Sequence, residues 1–292
     1  MNFGQVITAM VTPFDKNENI AWDEVTRITE WLIETGSDGI VVAGTTGESP
    51  ALTVEEKIAL FRHVARTANG RATVIAGTGS NSTAATVELT KQASECGVDG
   101  ILLVAPYYNK PSQAGLYEHF RTVAAATELP IMLYNIPGRT GVNMSADTVV
   151  RLAEISNIVA IKEASGDFVQ ASDIVRRTPD DFYLYSGDDK NTLPLMAVGA
   201  HGVVSVASHL IGNEMKQMVA AFTAGDHQAA RALHEQWLDV FEDLFIAPNP
   251  VPVKYALAAL GYGDERVRLP LVPATEQQKI ELAQIVKKVR AR

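Results

Sequence analysis

The chain has 292 residues, which exceeds the usual single domain of about 100–200 residues but suits a (β/α)8 barrel. Apolar residues make up 47% and charged residues 20%, a composition typical of globular proteins that excludes intrinsic disorder. The 25 Lys and Arg against 34 Asp and Glu give a formal charge of −9, which argues against nucleic acid or an anionic membrane as the main partner.

The predicted elements alternate along the chain between short β-branched runs and longer segments of helical periodicity. Eight strands are predicted: Val6–Thr12, Gly39–Ala43, Thr73–Ala76, Gly100–Ala105, Ile131–Asn135, Ile158–Glu163, Phe182–Tyr185 and Gly202–Val206. The helices predicted between them include Trp22–Thr35, Val54–Ala68, Thr83–Cys96, Gly115–Thr127, Asp147–Ile155 and Asn213–Ala224.

The predicted strands are apolar at nearly every position, as expected for parallel strands that are buried on both faces. Residues 1–225 are therefore expected to form an α/β fold, a (β/α)8 barrel. Residues 226–292 are expected to form an appended C-terminal region of three helices, Asp226–Ile246, Val253–Leu260 and Glu276–Val289.

A doubly wound open sheet is the alternative fold, but its nucleotide-binding motifs are missing. Gly77-Thr-Gly79 is followed by Ser82 where G-x-G-x-x-G requires its third glycine. Gly44-Thr-Thr-Gly47 lacks the Gly-Lys-Ser/Thr ending of a P-loop. The closed barrel is therefore the simpler interpretation.

The cysteine content and the apolar segments indicate the cellular compartment of the protein. A single cysteine, Cys96, excludes an intrachain disulfide framework and fits a reducing cytosol. The N-terminus lacks the basic region of a signal peptide, and the apolar stretches are far shorter than the about 20 residues of a membrane span. The six histidines show no metal-ligand spacing. We expect a cytoplasmic protein without a catalytic metal.

Lys162 is the first candidate for chemistry, because a barrel carries its active site at the carboxyl ends of its strands. It shares a strand face with Ala160 and Ala164, where burial disfavours the charged amine. A neutral amine is able to attack a carbonyl carbon. The alternative is a lysine neutralised by a carboxylate at the barrel rim.

Three further features lie at strand ends near Lys162. Tyr134 is about equally deep in the preceding strand and is placed to move protons, or is a core tyrosine. The Gly44–Gly47 turn offers N–H groups and two hydroxyls to a small carboxylate, or is an ordinary turn. Arg139 is placed to hold a second carboxylate, or is a solvated loop residue.

The roles of two pairs of adjacent residues remain open at this point. Tyr107 and Tyr108 close the fourth strand and point in opposite directions, so at most one enters the barrel mouth. Asp188 and Asp189 follow the seventh strand, where they either bind a cation or polar substrate or cap the next helix.

Five motifs, in order, resemble those of the 4-hydroxy-tetrahydrodipicolinate synthase family, also called dihydrodipicolinate synthases. They are Gly44-Thr-Thr-Gly-Glu48, Ala105-Pro-Tyr-Tyr-Asn109, Tyr134-Asn-Ile-Pro-Gly-Arg-Thr140, Ile161-Lys-Glu-Ala164 and Asn249-Pro-Val-Pro-Val-Lys254. The resemblance covers essentially the whole chain and implies a (β/α)8 barrel with extra C-terminal helices. It also implies that pyruvate condenses with L-aspartate 4-semialdehyde, without a cofactor, in lysine and diaminopimelate biosynthesis.

The resemblance further implies roles for individual residues. Lys162 forms the imine with pyruvate and Tyr134 relays protons. Thr45 links Tyr134 to the partner subunit's Tyr108, and Thr45 and Thr46 hold the pyruvate carboxylate.

Three more residues complete the implied site. Gly187 and Val204 line the pyruvate pocket, and Arg139 receives the carboxylate of the semialdehyde at its entrance. The family usually assembles as a dimer of dimers, so a homotetramer is expected, with a homodimer as the alternative.

The chain departs from lysine-inhibited members of the family. It resembles them at Ser49, Asn81 and Tyr107. They carry histidines where this chain has Val54 and Lys57, and a glutamate where it has Ala85. Because a cationic Lys57 repels a lysine ligand and one carboxylate is missing, weak or no inhibition by L-lysine is predicted.

Other functions are weighed against the synthase. An N-acetylneuraminate or 2-keto-3-deoxy-sugar acid aldolase would share Lys162 and Tyr134, but Arg139 and the Tyr107-Tyr108 pair favour the synthase. A phosphosugar isomerase needs a phosphate nest after the seventh and eighth strands, where Ser186-Gly-Asp-Asp189 is acidic. A non-catalytic scaffold would leave Lys162 as a rim ion pair.

Overall fold

The computed structural model describes residues 2–291 and contains a closed barrel of eight parallel strands in sequence order. The strands are β1 (Val6–Ala9), β2 (Gly39–Val42), β3 (Thr73–Gly77), β4 (Gly100–Val104), β5 (Ile131–Asn135), β6 (Ile158–Glu163), β7 (Tyr183–Ser186) and β8 (Gly202–Ser205). Parallel pairing of β1 with β8 closes the barrel. The predicted (β/α)8 barrel is confirmed, and the open sheet is excluded.

Helices follow the strands and surround the barrel. Within residues 2–291 they are α1 (Trp22–Glu34), α2 (Val54–Ala68), α3 (Thr83–Ser94), α4 (Gln113–Ala124), α5 (Pro137–Thr140), α6 (Ala146–Leu152), α7 (Phe168–Arg177), α8 (Thr192–Ala197), α9 (Ser208–Thr223), α10 (His227–Asp243), α11 (Val251–Ala259) and α12 (Glu276–Arg290). Short 3₁₀ turns cover Ser49–Ala51 and Asp189–Asn191.

Alternating side chains of the strands build two apolar layers. One set fills the barrel interior: Ile7, Ala9, Val41, Ile75, Leu102, Met132, Tyr134, Ala160, Tyr185 and Val204. The other set packs against the helices, among them Ile40, Val42, Val74, Ile101, Leu133 and Ile161. Burial on both faces explains why the strands are almost continuously apolar in sequence.

The first strand is shorter than predicted, ending at Ala9 instead of Thr12. The residues beyond it bond to the first turn of α9 and to the turn after β2. The Val11 N–H donates to Nε2 of His209 at 3.2 Å, and the Thr12 hydroxyl donates to the Gly47 carbonyl at 2.7 Å. These long-range bonds, which have no local signal in the sequence, end the strand pairing.

Local sequence signals mark the start of α2 and the end of α1. Thr53 accepts from the Glu56 N–H while the Glu56 side chain accepts from the Thr53 N–H, so the two residues form a capping box. Gly36, which follows the C-terminal end of α1, has a positive φ of 104°, a backbone conformation that commonly ends a helix and that glycine adopts readily. The helix predicted from Asn213 begins at Ser208 as α9 and is interrupted at Ile211 (φ −132°, ψ 42°).

The three C-terminal helices are present as α10, α11 and α12, each within a few residues of its predicted bounds. Helix α10 packs on α9, and α11 packs on α12 and α9. Among residues 2–291, no helix has the length and hydropathy needed to cross a membrane.

Candidate active site

Lys162 and Tyr134 lie side by side on neighbouring strands of the barrel. The β5–β6 register pairs Tyr134 with Lys162, and Nζ of Lys162 lies 4.4 Å from the centroid of the Tyr134 ring. Only 6% of Lys162 and 4% of Tyr134 is exposed. Lys162 forms no ion pair with any of residues 2–291. By contrast, another lysine, Lys254, forms a buried ion pair with Glu48.

The charge state of Lys162 is set mainly by burial. Removal from water lowers the pKa of its amine to about 8, because the ammonium form loses hydration. The negative charge of Asp189 opposes this shift, whereas Arg139 adds to it. A lysine with this pKa supplies a substantial fraction of free amine near pH 8, which is the form that attacks a carbonyl.

Tyr134 is held as a neutral phenol. Burial raises its pKa to about 12, with the positive charge of Arg139 and a hydrogen bond with the Thr45 side chain acting in the opposite direction. A protonated phenol beside a neutral amine can donate a proton to an oxygen that develops negative charge. The Thr45 hydroxyl continues this chain of exchangeable protons.

The turn after β2 exposes backbone donors. Its internal hydrogen bonds run from Glu48 N–H to the Thr45 carbonyl (3.1 Å) and from Ser49 N–H to the Gly44 carbonyl (3.2 Å). The N–H groups of Thr45, Thr46 and Gly47 find no acceptor in the described part of the chain. Consecutive free N–H groups in a turn suit a carboxylate.

A cavity of ≈ 380 Å³ opens at the carboxyl ends of β2 to β5. Thr45, Tyr134 and Arg139 line one part of it, and Lys57 and Tyr107 line another. The cavity is therefore bounded by groups able to bind two carboxylates, the turn on one side and the guanidinium on the other.

Four predicted residues are not part of the cavity lining. Lys162 packs against the ring of Tyr134, which does line the cavity, and a Cβ on Gly187 would come within 3.1 Å of Cε of Lys162. Val204 belongs to the same interior cluster as Tyr134. Thr46 is buried, with its hydroxyl accepting a hydrogen bond from Asn249. The structure thus places Tyr134 and Gly187 against Lys162, and Thr46 in the turn after β2, of which Gly44 and Thr45 line the cavity.

Tyr107 and Tyr108 separate as predicted. Tyr107 lines the cavity, whereas Tyr108 is 89% exposed and has a positive φ of 73°. Within this chain Tyr108 does not reach the cavity, so a catalytic role for it requires a partner subunit.

Asp188 and Asp189 are structural caps with an electrostatic effect. Asp188 accepts from the Lys190 N–H at the start of a 3₁₀ turn, and buried Asp189 accepts from the N–H groups of Val206 and Ala207 at 3.0 and 2.9 Å. The described residues form no cluster of potential metal ligands. Both carboxylates raise the pKa of Lys162.

Four of the positions considered above for inhibition by L-lysine lie around the same cavity. Ser49, Val54, Lys57 and Ala85 all line it. Burial lowers the pKa of Lys57. Asn81 instead uses its carbonyl to accept from Asn109 at 2.9 Å.

Three residues in or against the turn after β2 had no role predicted from the sequence, although they lie in the quoted motifs. Glu48 forms a fully buried ion pair with Lys254 at 2.6 Å, and Asn249 donates to Thr46 at 2.9 Å. The available signal was Lys254 itself, a charged residue in the otherwise apolar helix α11.

Comparison with known proteins gives a consistent result. The dihydrodipicolinate synthetase family profile matches residues 2–289. A 4-hydroxy-tetrahydrodipicolinate synthase of Moorella thermoacetica is 58% identical over 98% of both chains. The crystal structure of a Bacillus anthracis dihydrodipicolinate synthase superposes with a TM-score of 0.96 at 56% identity, covering 98% of each chain.

The chain is also similar to a relative whose crystal structure contains bound lysine. The enzyme from Cyanidioschyzon merolae, crystallised with lysine bound, has a TM-score of 0.97 and 48% identity over 99% of both chains. With full-length matches of this strength, and with the lysine, tyrosine and threonine of the motifs gathered at the barrel mouth, the chain belongs to the dihydrodipicolinate synthetase family.

Proposed function

We propose that this chain condenses pyruvate with L-aspartate 4-semialdehyde to give 4-hydroxy-tetrahydrodipicolinate, using Lys162 as the Schiff-base nucleophile. The observation that carries the proposal is the buried amine of Lys162, with its pKa lowered to about 8, lying against the Tyr134 phenol. The full-length similarity to enzymes named for this activity supports it.

The first step forms a covalent bond between the amine and the keto acid. The neutral Lys162 nitrogen attacks C2 of pyruvate, and the carbonyl oxygen leaves as water after it takes up one proton from the attacking amine and one from Tyr134. Thr45 connects the phenol to further donors. The product is a protonated imine on Lys162.

The imine makes the methyl group of pyruvate acidic. The Tyr134 phenolate left by the first step takes up a C3 proton, and the electron pair of that C–H bond moves toward the iminium nitrogen to give an enamine. C3 then attacks the aldehyde carbon of the semialdehyde, the aldehyde oxygen takes up the proton from Tyr134 to become the 4-hydroxyl, and the iminium on Lys162 is restored. The amino group of the semialdehyde adds to C2 and the Lys162 amine leaves, which closes the ring and regenerates the enzyme.

The two substrate carboxylates are assigned to separate donors. The free N–H groups of the Gly44–Gly47 turn and the Thr46 hydroxyl hold pyruvate. Arg139, on α5, holds the semialdehyde carboxylate at the cavity mouth. Gly187 leaves room for the Lys162 side chain, and Val204 closes the pocket from β8.

The assembly proposed is a homotetramer built as a dimer of dimers, with a homodimer as the smaller alternative. Its support is Tyr108, which is 89% exposed and held at a positive φ, so it is presented outward. The partner subunit's Tyr108 would complete the proton chain through Thr45. The expected location is the cytoplasm, supported by the single cysteine, Cys96, which is free and buried.

The reaction is tested by product analysis. Purified protein is incubated with pyruvate and L-aspartate 4-semialdehyde, and product is detected through a coupled dipicolinate reductase. Reductase-dependent oxidation of its nicotinamide cofactor is expected. Cleavage of N-acetylneuraminate without ring formation would instead assign the chain to the aldolases of the same chemical class.

A further inference from the structure

The turn assigned to pyruvate is attached to the C-terminal region by a buried hydrogen bond. Nδ2 of Asn249 donates to Oγ1 of Thr46 at 2.9 Å, across 203 positions of the chain. Both side chains are buried. Asn249 therefore holds one of the two threonines of this turn from outside the strands of the barrel.

A second attachment lies two residues further along the turn. Glu48 accepts from Nζ of Lys254 at 2.6 Å and from the Arg268 N–H at 2.9 Å, so both carboxylate oxygens are occupied. Lys254 also donates to the Thr12 carbonyl at 2.8 Å. The ion pair fixes the turn in position, which leaves Asn249 to determine the direction of one hydroxyl.

The direction of the Asn249 bond matters chemically. A threonine hydroxyl has one proton to donate, and an amide N–H is a donor only. Because Thr46 accepts from Asn249, its own proton stays available, and it has no acceptor among residues 2–291. A carboxylate offers only acceptors, so it matches a hydroxyl held in this state.

We propose that Asn249 is a positioning residue for keto-acid binding, which holds the Thr46 hydroxyl as a hydrogen-bond donor to the pyruvate carboxylate. The inference rests on the proposed function. Asn249 acts through Thr46 and does not touch the reacting atoms. Its loss weakens pyruvate binding while leaving the later steps intact.

A double-mutant cycle tests this dependence. N249A, T46V and the double variant are compared with the unchanged protein by the KM for each substrate and by the pyruvate concentration that gives half-maximal borohydride trapping. N249A is expected to raise both pyruvate values about three- to tenfold, the usual range for one hydrogen bond, with the semialdehyde KM changed less than about twofold. In the T46V background, N249A is expected to add less than about twofold.

N249D tests the direction of the bond. An ionised aspartate has no proton to give and accepts from Thr46, which turns the hydroxyl proton away from the substrate. N249D is expected to raise the pyruvate KM more than N249A. It retains the shape of asparagine and carries the test if N249A does not fold.

Asn157 provides a matched control at the opposite end of the barrel. Asn157 lies just before β6, and its Nδ2 donates to the carbonyls of Ala124 and Thr127. N157A also removes amide hydrogen bonds, which are partly buried, and it is expected to change thermal stability without changing the pyruvate KM.

Several results would overturn the inference. One is a pyruvate KM in N249A that is no higher than in N157A. Another is a double variant whose pyruvate KM rises by the product of the increases seen in N249A and T46V alone. The third is an unchanged pyruvate KM in N249D. If the unchanged protein traps no pyruvate at all, the proposed function fails as well, and this outcome is separable because it appears before any substitution.

Discussion

Lys162 and Tyr134 are partners in register on adjacent strands, with the lysine nitrogen 4.4 Å from the centre of the phenol ring. Burial shifts their pKa values in opposite directions, to about 8 for the amine and about 12 for the phenol. The amine is thereby prepared to be a nucleophile and the phenol to be a proton donor. This division of roles comes from their shared position inside the barrel.

Replacing Tyr134 by phenylalanine should slow the reaction without unfolding the protein. Y134F removes the proton donor but keeps the ring against Lys162, so kcat is expected to fall about 10²–10⁴-fold. Steady-state kinetics with both substrates measure the change. Y185F is the matched control, since Tyr185 is a buried tyrosine of β7 whose hydroxyl accepts from the Phe3 N–H. Equal kcat values for Y134F and Y185F would contradict the assignment.

The rate of imine formation should depend on pH through Lys162. Its pKa is lowered to about 8, so the attacking free amine increases as pH rises through 8 and levels off above it. The measurement is kcat/KM for pyruvate between pH 6 and pH 10, on a protein whose fold is checked at each pH. A flat profile over this range would argue against a titrating lysine nucleophile.

The carboxylate of Asp189 should set where this pH profile lies. Its charge is the largest factor that raises the pKa of Lys162 against burial. D189N removes the charge and can still accept from Val206 and Ala207, so the rise in kcat/KM is expected at lower pH. A shift toward higher pH would contradict this electrostatic relationship.

The ion pair between Glu48 and Lys254 should show strong coupling in stability. K254M leaves the Glu48 carboxylate buried without its cation, which is expected to lower the free energy of unfolding by about 3–5 kcal/mol. The double variant E48Q/K254M buries no charge and should recover most of that loss. Urea unfolding of the unchanged protein, E48Q, K254M and the double variant measures the coupling, and additive losses would show that the two side chains act independently.

L-Lysine should inhibit weakly or not at all. Lys57 and Ala85 line the cavity where lysine-inhibited relatives carry histidine and glutamate, so the site repels a cation and lacks one carboxylate. Steady-state rates with added L-lysine test this expectation. The variant V54H/K57H/A85E is expected to gain sensitivity. Inhibition of the unchanged protein at micromolar lysine would refute it.

Much of this architecture was accessible from the sequence because it depends on local patterns. β6 is a run of apolar residues interrupted by Lys162, so both the strand and the unusual lysine could be recognised. The capping box of α2 and the glycine after α1 similarly use neighbouring residues only. The separation of Tyr107 from Tyr108 agrees with the expectation from strand alternation, but β4 ends at Val104 and Tyr108 has a positive φ of 73°, so a loop conformation produces it.

The contacts that support the turn could not be predicted in the same way. Glu48 meets Lys254 across 206 positions, and Thr46 meets Asn249 across 203. Such pairs depend on how the C-terminal region packs on the barrel. The local periodicity of apolar residues in the sequence carries no information about that packing. The early end of β1 has the same cause, because the residues after it bond to His209 of α9 and to the Gly47 carbonyl, both distant in sequence.

Borohydride reduction in the presence of pyruvate tests the central claim most directly. The imine on Lys162 would be reduced to a stable secondary amine, and peptide mapping by mass spectrometry would locate the added pyruvyl group. We predict one adduct per chain, on Lys162, that is absent from K162A. A folded protein that forms no adduct, or that forms it on another lysine while K162A retains full synthase activity, would contradict the account.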